Sequence, residues 1–126
     1  MTKPLFFMGS SHKDLLEFPK EVRQQAGFAL YLAQMGGMAL YAVPLVGFGG
    51  AHVLEVVISE DGNAYRAVYT VKFDEAVYML HAFQKKSKKG SETPKPDVQL
   101  IRKRLKAAQN HYEKNFGALK RKDVSA

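Results

Sequence analysis

The sequence predicts an α+β fold, in which a small twisted antiparallel sheet packs against an N-terminal helical hairpin and a basic C-terminal helix completes the chain. The sheet is expected to hold an N-terminal strand and a three-stranded meander. Three observations support this reading. Apolar residues recur at helical spacing from Val22 to Ala33. Runs rich in Val, Ile, Tyr and Phe follow between Val53 and Gln84, separated by short turn segments. A second helical stripe begins after Asp97, among many Lys and Arg side chains.

Pro4-Leu5-Phe6-Phe7-Met8 is short, apolar and aromatic and ends at Gly9-Ser10-Ser11, the pattern of a strand followed by a helix start. Ser11 with Asp14 fits a capping box in which Asp replaces Glu, predicting a short helix through Leu15, Leu16 and Phe18. Pro19 interrupts it and suits the first turn of a second helix, where Glu21 complements the dipole. Val22, Ala26, Ala29, Leu30 and Ala33 mark the buried face of that helix, and Gly36-Gly37 ends it. Pro44 and the glycines of Val46-Gly47-Phe48-Gly49-Gly50 predict a connecting loop. It is no dinucleotide fingerprint, because His52 stands where the third glycine belongs and a strand, not a helix, follows.

The meander is expected as Val53 to Ser59, Ala64 to Phe73 and Ala76 to Gln84, joined by Glu60-Asp61-Gly62-Asn63 and Asp74-Glu75. Period-two alternation puts Arg66, Val68, Thr70 and Lys72 on one face of the middle strand. In the last strand it separates Val77, Met79, His81, Phe83 and Lys85 from Tyr78, Leu80, Ala82, Gln84 and Lys86. The final helix is expected from about Asp97 to Lys114, with Val98, Ile101, Leu105, Ala108 and Tyr112 packing inward. Residues 1–126 then form one domain, with a core over about 4–112 and a basic tail, 113–126, of which the end from Lys120 to Ala126 should fray.

Residues 1–80 carry six basic and eight acidic side chains, a balance of −2, whereas residues 81–126 carry thirteen basic and four acidic, a balance of +9. Such asymmetry suits a polyanion such as nucleic acid or an acidic protein partner, and equally a solvated surface. No apolar run approaches the roughly 18 residues of a membrane span, and the start is too short for a signal-peptide core, so a cytoplasmic location without membrane attachment is expected. There is no cysteine, no G-x-S-x-G elbow and no metal-ligand spacing among His12, His52, His81 and His111. Neither a metal nor a cofactor is therefore expected.

What remains is a cationic set on strands: Arg66, with Lys85 and Lys86 closing the neighbouring strand. An arginine in an apolar strand must be paired or must line an opening. One reading pairs it with Glu55 on the adjacent strand. In the other, Arg66 and Lys86 share a sheet face and clamp a scissile phosphodiester, stabilising the charge that builds when a ribose 2′-OH attacks. His81 reads as a packing residue, whereas His52, beside the glycine loop, has access to a groove and is a candidate for proton transfer. Lys88 and Lys89 are expected to form a basic lip that touches RNA phosphate or an acidic segment of a protein partner.

Tyr65-Arg66-Ala67-Val68-Tyr69, together with Leu80-His81-Ala82-Phe83-Gln84-Lys85-Lys86-Ser87-Lys88-Lys89 and the following Thr93-Pro94, resembles the RelE/ParE superfamily of type II toxins, and within it the HigB-like, phage-derived branch. The likeness covers about residues 4–112. It implies a metal-independent, ribosome-dependent mRNA endoribonuclease that inhibits translation. It also implies a cognate antitoxin, often a helix-turn-helix protein, with operator DNA reached only through that partner. By that likeness Arg66 matches the family's strand arginine and Lys86 the basic residue after the closing strand, with Lys85 assisting. Two departures stand out. No Tyr or His follows the closing strand between Ser87 and Pro94, and the strand that carries catalytic lysines in relatives reads Val53-Leu54-Glu55-Val56-Val57, so that Glu55 serves as base or simply pairs with Arg66.

Two other readings stay open: a ParE-like toxin that binds and inhibits DNA gyrase without chemistry, and an inactive nucleic-acid-binding relic. The cleavage reading carries a condition. A guanidinium at position 66 sealed beneath the helices, locked to a carboxylate and out of reach of solvent, would dismiss it.

Overall fold

The computed structural model describes residues 2–85 and 93–125, with side chains to residue 117. Its elements in chain order are β1 (Leu5–Phe7), α1 (Ser11–Leu16), α2 (Lys20–Gln34), β2 (Ala42–Pro44), β3 (Val53–Glu60), β4 (Asn63–Thr70), β5 (Val77–Lys85) and α3 (Lys95–Ser125). The strands form one five-stranded sheet in the order β1-β5-β4-β3-β2. The α+β class, the helical hairpin, the meander and the C-terminal helix all appear as the sequence predicts.

The sheet differs from expectation at both edges. β1 runs parallel to β5, pairing Leu5 with Val77 and Phe7 with Met79, so the sheet is mixed. Two helices and three strands separate β1 from its partner, and so long a connection imposes no antiparallel return. Ala42-Val43-Pro44, expected as loop, forms a fifth strand against Leu54, Glu55 and Val56. A three-residue run containing proline carries no strand signal of its own, but proline is tolerated on an edge. The β3–β4 turn uses Asp61 and Gly62 at φ 51° and 77°, the left-handed geometry of a tight hairpin.

Each face of the sheet has its own core. Against α1 and α2 lie Leu54, Val56, Tyr65, Ala67, Tyr69 and Met79, meeting Val22, Ala26, Ala29 and Leu30. Against α3 lie Val53, Val68, Tyr78 and Leu80, meeting Ile101, Ala108 and Tyr112, which belong to the predicted stripe. α3 starts two residues before the expected Asp97 and continues to Ser125, through the tail expected to fray.

A β-bulge breaks strict alternation in β5. Val68 pairs with His81 but Tyr69 pairs with Met79, so Leu80 is the extra residue. Met79 and Ala82 consequently both face the helical hairpin, while Leu80 joins the α3 core. His81 does not share the face of Met79, as period-two counting implies. It turns toward α3, where its Nε2 lies 2.7 Å from Asp97 Oδ1. The bulged carbonyl of Leu80 accepts from the Arg104 guanidinium at 2.9 Å, and the same guanidinium donates to Ser10 Oγ at 3.1 Å. Arg104 therefore ties α3 to the bulge and to the start of α1. Gly9, at φ +55°, makes room for it: a Cβ there would stand 2.6 Å from Arg104 Nε.

Candidate functional site

β3 and β4 place Glu55 and Arg66 on the α3 face of the sheet. Arg66 sits opposite Val57 and Glu55 opposite Val68, so the two are diagonal neighbours on adjacent strands. Arg66 Nη1 donates to Glu55 Oε1 at 2.9 Å, with the two side chains 5% and 7% exposed. The other carboxylate oxygen, Oε2, accepts from the Thr93 hydroxyl at 3.0 Å. A guanidinium and a carboxylate at this distance neutralise each other, so the pair adds no net positive charge to its surroundings.

The pair lies on the floor of a groove of about 660 Å³. Val43, Leu45 and Val46 wall it on the β2 side, and Thr93 and Val98, before and within the first turn of α3, wall it opposite. A mostly apolar cleft with a few convergent polar groups is the usual form of a ligand site. Arg102 fixes one neighbouring wall by donating to the Gly47 carbonyl at 2.7 Å while its guanidinium lies 4.5 Å from the Phe48 ring centroid. The glycine loop is thereby held to α3 rather than open to a phosphate.

The sequence-predicted residues are only partly brought together. Glu55 and Arg66 meet, in the salt bridge that was one of the two readings of Arg66. Of the three conditions set against cleavage, the lock to a carboxylate and the near-complete burial are met. The guanidinium does not lie sealed beneath a helix, because it lines the groove floor. Register places Lys85 opposite Ala64, on the same face as Arg66, and buried. His52 is exposed and is not a lining residue of the groove; its carbonyl accepts from Val71 N at 2.9 Å and from Thr70 Oγ1 at 2.8 Å. Lys86, Lys88 and Lys89 lie outside the described residues, so the expected pairing of Arg66 with Lys86 and the basic lip have no counterpart among them. Sequence reasoning missed the apolar wall of β2 and the Thr93 contact. The short β2 run offers no pattern, and Thr93 is 38 residues from its partner.

An arrangement of this kind on a mixed five-stranded sheet defines a class by fold before it defines a reaction. The fold is that of the RelE toxins: the chain is similar to a free-state variant of the Escherichia coli toxin RelE, with a TM-score of 0.57 at 18% identity, covering 83% of this chain and 99% of that one. Residues 13–106 match the family described as phage derived protein Gp49-like (DUF891), and the chain belongs to that family. No curated protein matches it. No helix among the described residues is long and apolar enough to cross a membrane.

Proposed function

We propose that the chain is the toxin component of a type II toxin–antitoxin pair, of the HigB-like branch, and that it acts in the cytoplasm by cutting messenger RNA at the ribosome. The observation that carries the reading is the Thr93 hydroxyl on Glu55 Oε2. A hydroxyl donor already occupies the carboxylate oxygen where a ribose 2′-OH would be received. Exchanging one hydroxyl for the other keeps that hydrogen bond and costs little desolvation.

In this mechanism Glu55 takes the 2′-OH proton, the 2′ oxygen bonds to phosphorus, and the bond to the 5′ oxygen breaks on the opposite side. Arg66 holds Glu55 through Oε1, and once Glu55 has taken the proton the guanidinium charge is no longer cancelled and can offset the charge building on the phosphate. Lys85, on the same face, supplies the proton to the leaving oxygen. The role of Arg66 thus shifts from free clamp to paired orienting group, and the ribosome orients the strand.

A second reading is favoured by the lock itself. A toxin that inhibits gyrase by binding needs no open guanidinium and tolerates a sealed ion pair. Primer extension on induced cells, beside supercoiling by purified gyrase, separates the two. Codon-spaced cuts that fall roughly 10²–10⁴-fold in Glu55→Gln, at a temperature where circular dichroism shows the variant still folded, support cleavage. Intact mRNA with blocked supercoiling overturns it.

A further inference from the structure

On the opposite side of the sheet, α1 and α2 enclose a second groove, of about 390 Å³, floored by Phe7, Leu15 and Leu16 and rimmed by His12, Lys20 and Arg23. We propose that it is the docking site of an acidic, amphipathic segment of a partner protein, which on the toxin reading above is the antitoxin.

Charge complementarity is the first argument. Residues 1–80 hold more acid than base, yet every titratable side chain lining this groove is basic or histidine. Asp14 on α1 and Glu17 just after it line a different groove with Phe18 and Tyr65. Glu21 follows Lys20 by one residue and so stands about 100° round the helix. Lys20 and Arg23 are both exposed and offer two cations, three residues apart, to carboxylates one helical turn apart.

The floor decides between protein and nucleic acid. Leu16 is 55% exposed, an apolar surface that phosphates and sugars do not cover. The Phe7 ring is already stacked on His12, at 4.2 Å between centroids and 23° between planes, so it is not a bare platform for a base. An apolar side chain flanked by carboxylates satisfies both floor and rim.

The groove also has a direction. Lys20, Arg23, Gly27 and Tyr31 follow at spacings of three, four and four along α2 and so share a face. A Cβ at Gly27 would meet nothing within 4 Å, and Tyr31 beyond it is 50% exposed. The open row from Lys20 to Tyr31 is about 16 Å long at 1.5 Å per residue, room for about three turns of a docked helix.

The test co-expresses the full chain with the product of its adjoining gene and compares hydrogen exchange of free and bound protein. Protection over residues 7–31, and binding at least tenfold weaker in Lys20→Glu/Arg23→Glu and in Leu16→Glu, is the expected result. Lys103→Glu on α3 should bind as the parent does. Protection elsewhere, or unchanged affinity in both groove variants, overturns the proposal; so does absence of a complex. Poly(U) RNA bound more weakly by the charge reversal than by the parent would assign the groove to RNA instead and also overturn it. Growth arrest on induction tests the toxin reading separately: arrest with a misplaced footprint sinks the docking site alone, and a chain without toxicity sinks the reading beneath it.

Discussion

Arg66→Met leaves Glu55 buried with the Thr93 hydroxyl as its remaining described donor. At 2.9 Å the pair's attraction is about 6 kcal/mol at an effective dielectric of about 20, and desolvating the two ions takes back several kcal/mol each. The intact pair is therefore close to neutral for stability, whereas removing one member should cost about 3–5 kcal/mol, since a carboxylate at 7% exposure cannot recover its water. That is a large part of the roughly 5–15 kcal/mol that holds a domain of this kind. Equilibrium urea unfolding of the parent, Arg66→Met, Glu55→Gln and the double variant gives the coupling. The double variant should lose much less than the two single losses together, because neither charge is left alone. Single variants within about 1 kcal/mol of the parent would refute the reasoning and show that solvent reaches the pair freely.

Ile101→Ala, at a fully buried position of α3, should cost about 2–5 kcal/mol by urea unfolding, against about 0.5 or less for exposed Lys103→Ala. Burial pushes the Tyr69 phenol up to about 12, with Tyr41 adding to the shift, and burial pushes Tyr78 up to about 12. An unfolded tyrosine ionises near 10, so the folded chain holds more protons between pH 10 and 12 and stability should fall as pH rises through that window. Thermal melting at stepped alkaline pH checks it; a flat melting temperature from pH 10 to 12 would count against buried phenols.

Long periodic elements were legible in the sequence, and positions set by three-dimensional register were not. The α2 face and the α3 stripe follow from spacing alone, because a helix repeats its neighbours every three or four residues. β5 shows the limit. One extra residue at Leu80 turned His81 away from Met79, and nothing local marks Leu80 as the bulge. The site was half legible. An arginine amid apolar residues had to find Glu55 or an opening, and it found both the carboxylate and the groove floor. The β2 wall and Thr93 reach that floor from segments far apart in the sequence, and periodicity carries no information about such meetings.

The parallel pairing of β1 with β5 bears on how this molecule is made. Synthesis is vectorial, and Leu5 has no ladder partner until Val77 has left the exit tunnel. A nascent chain halted before that point cannot seat its first strand, and α3 must then still arrive to cover the other face. The complete sheet is thus withheld until β5 has been made and released.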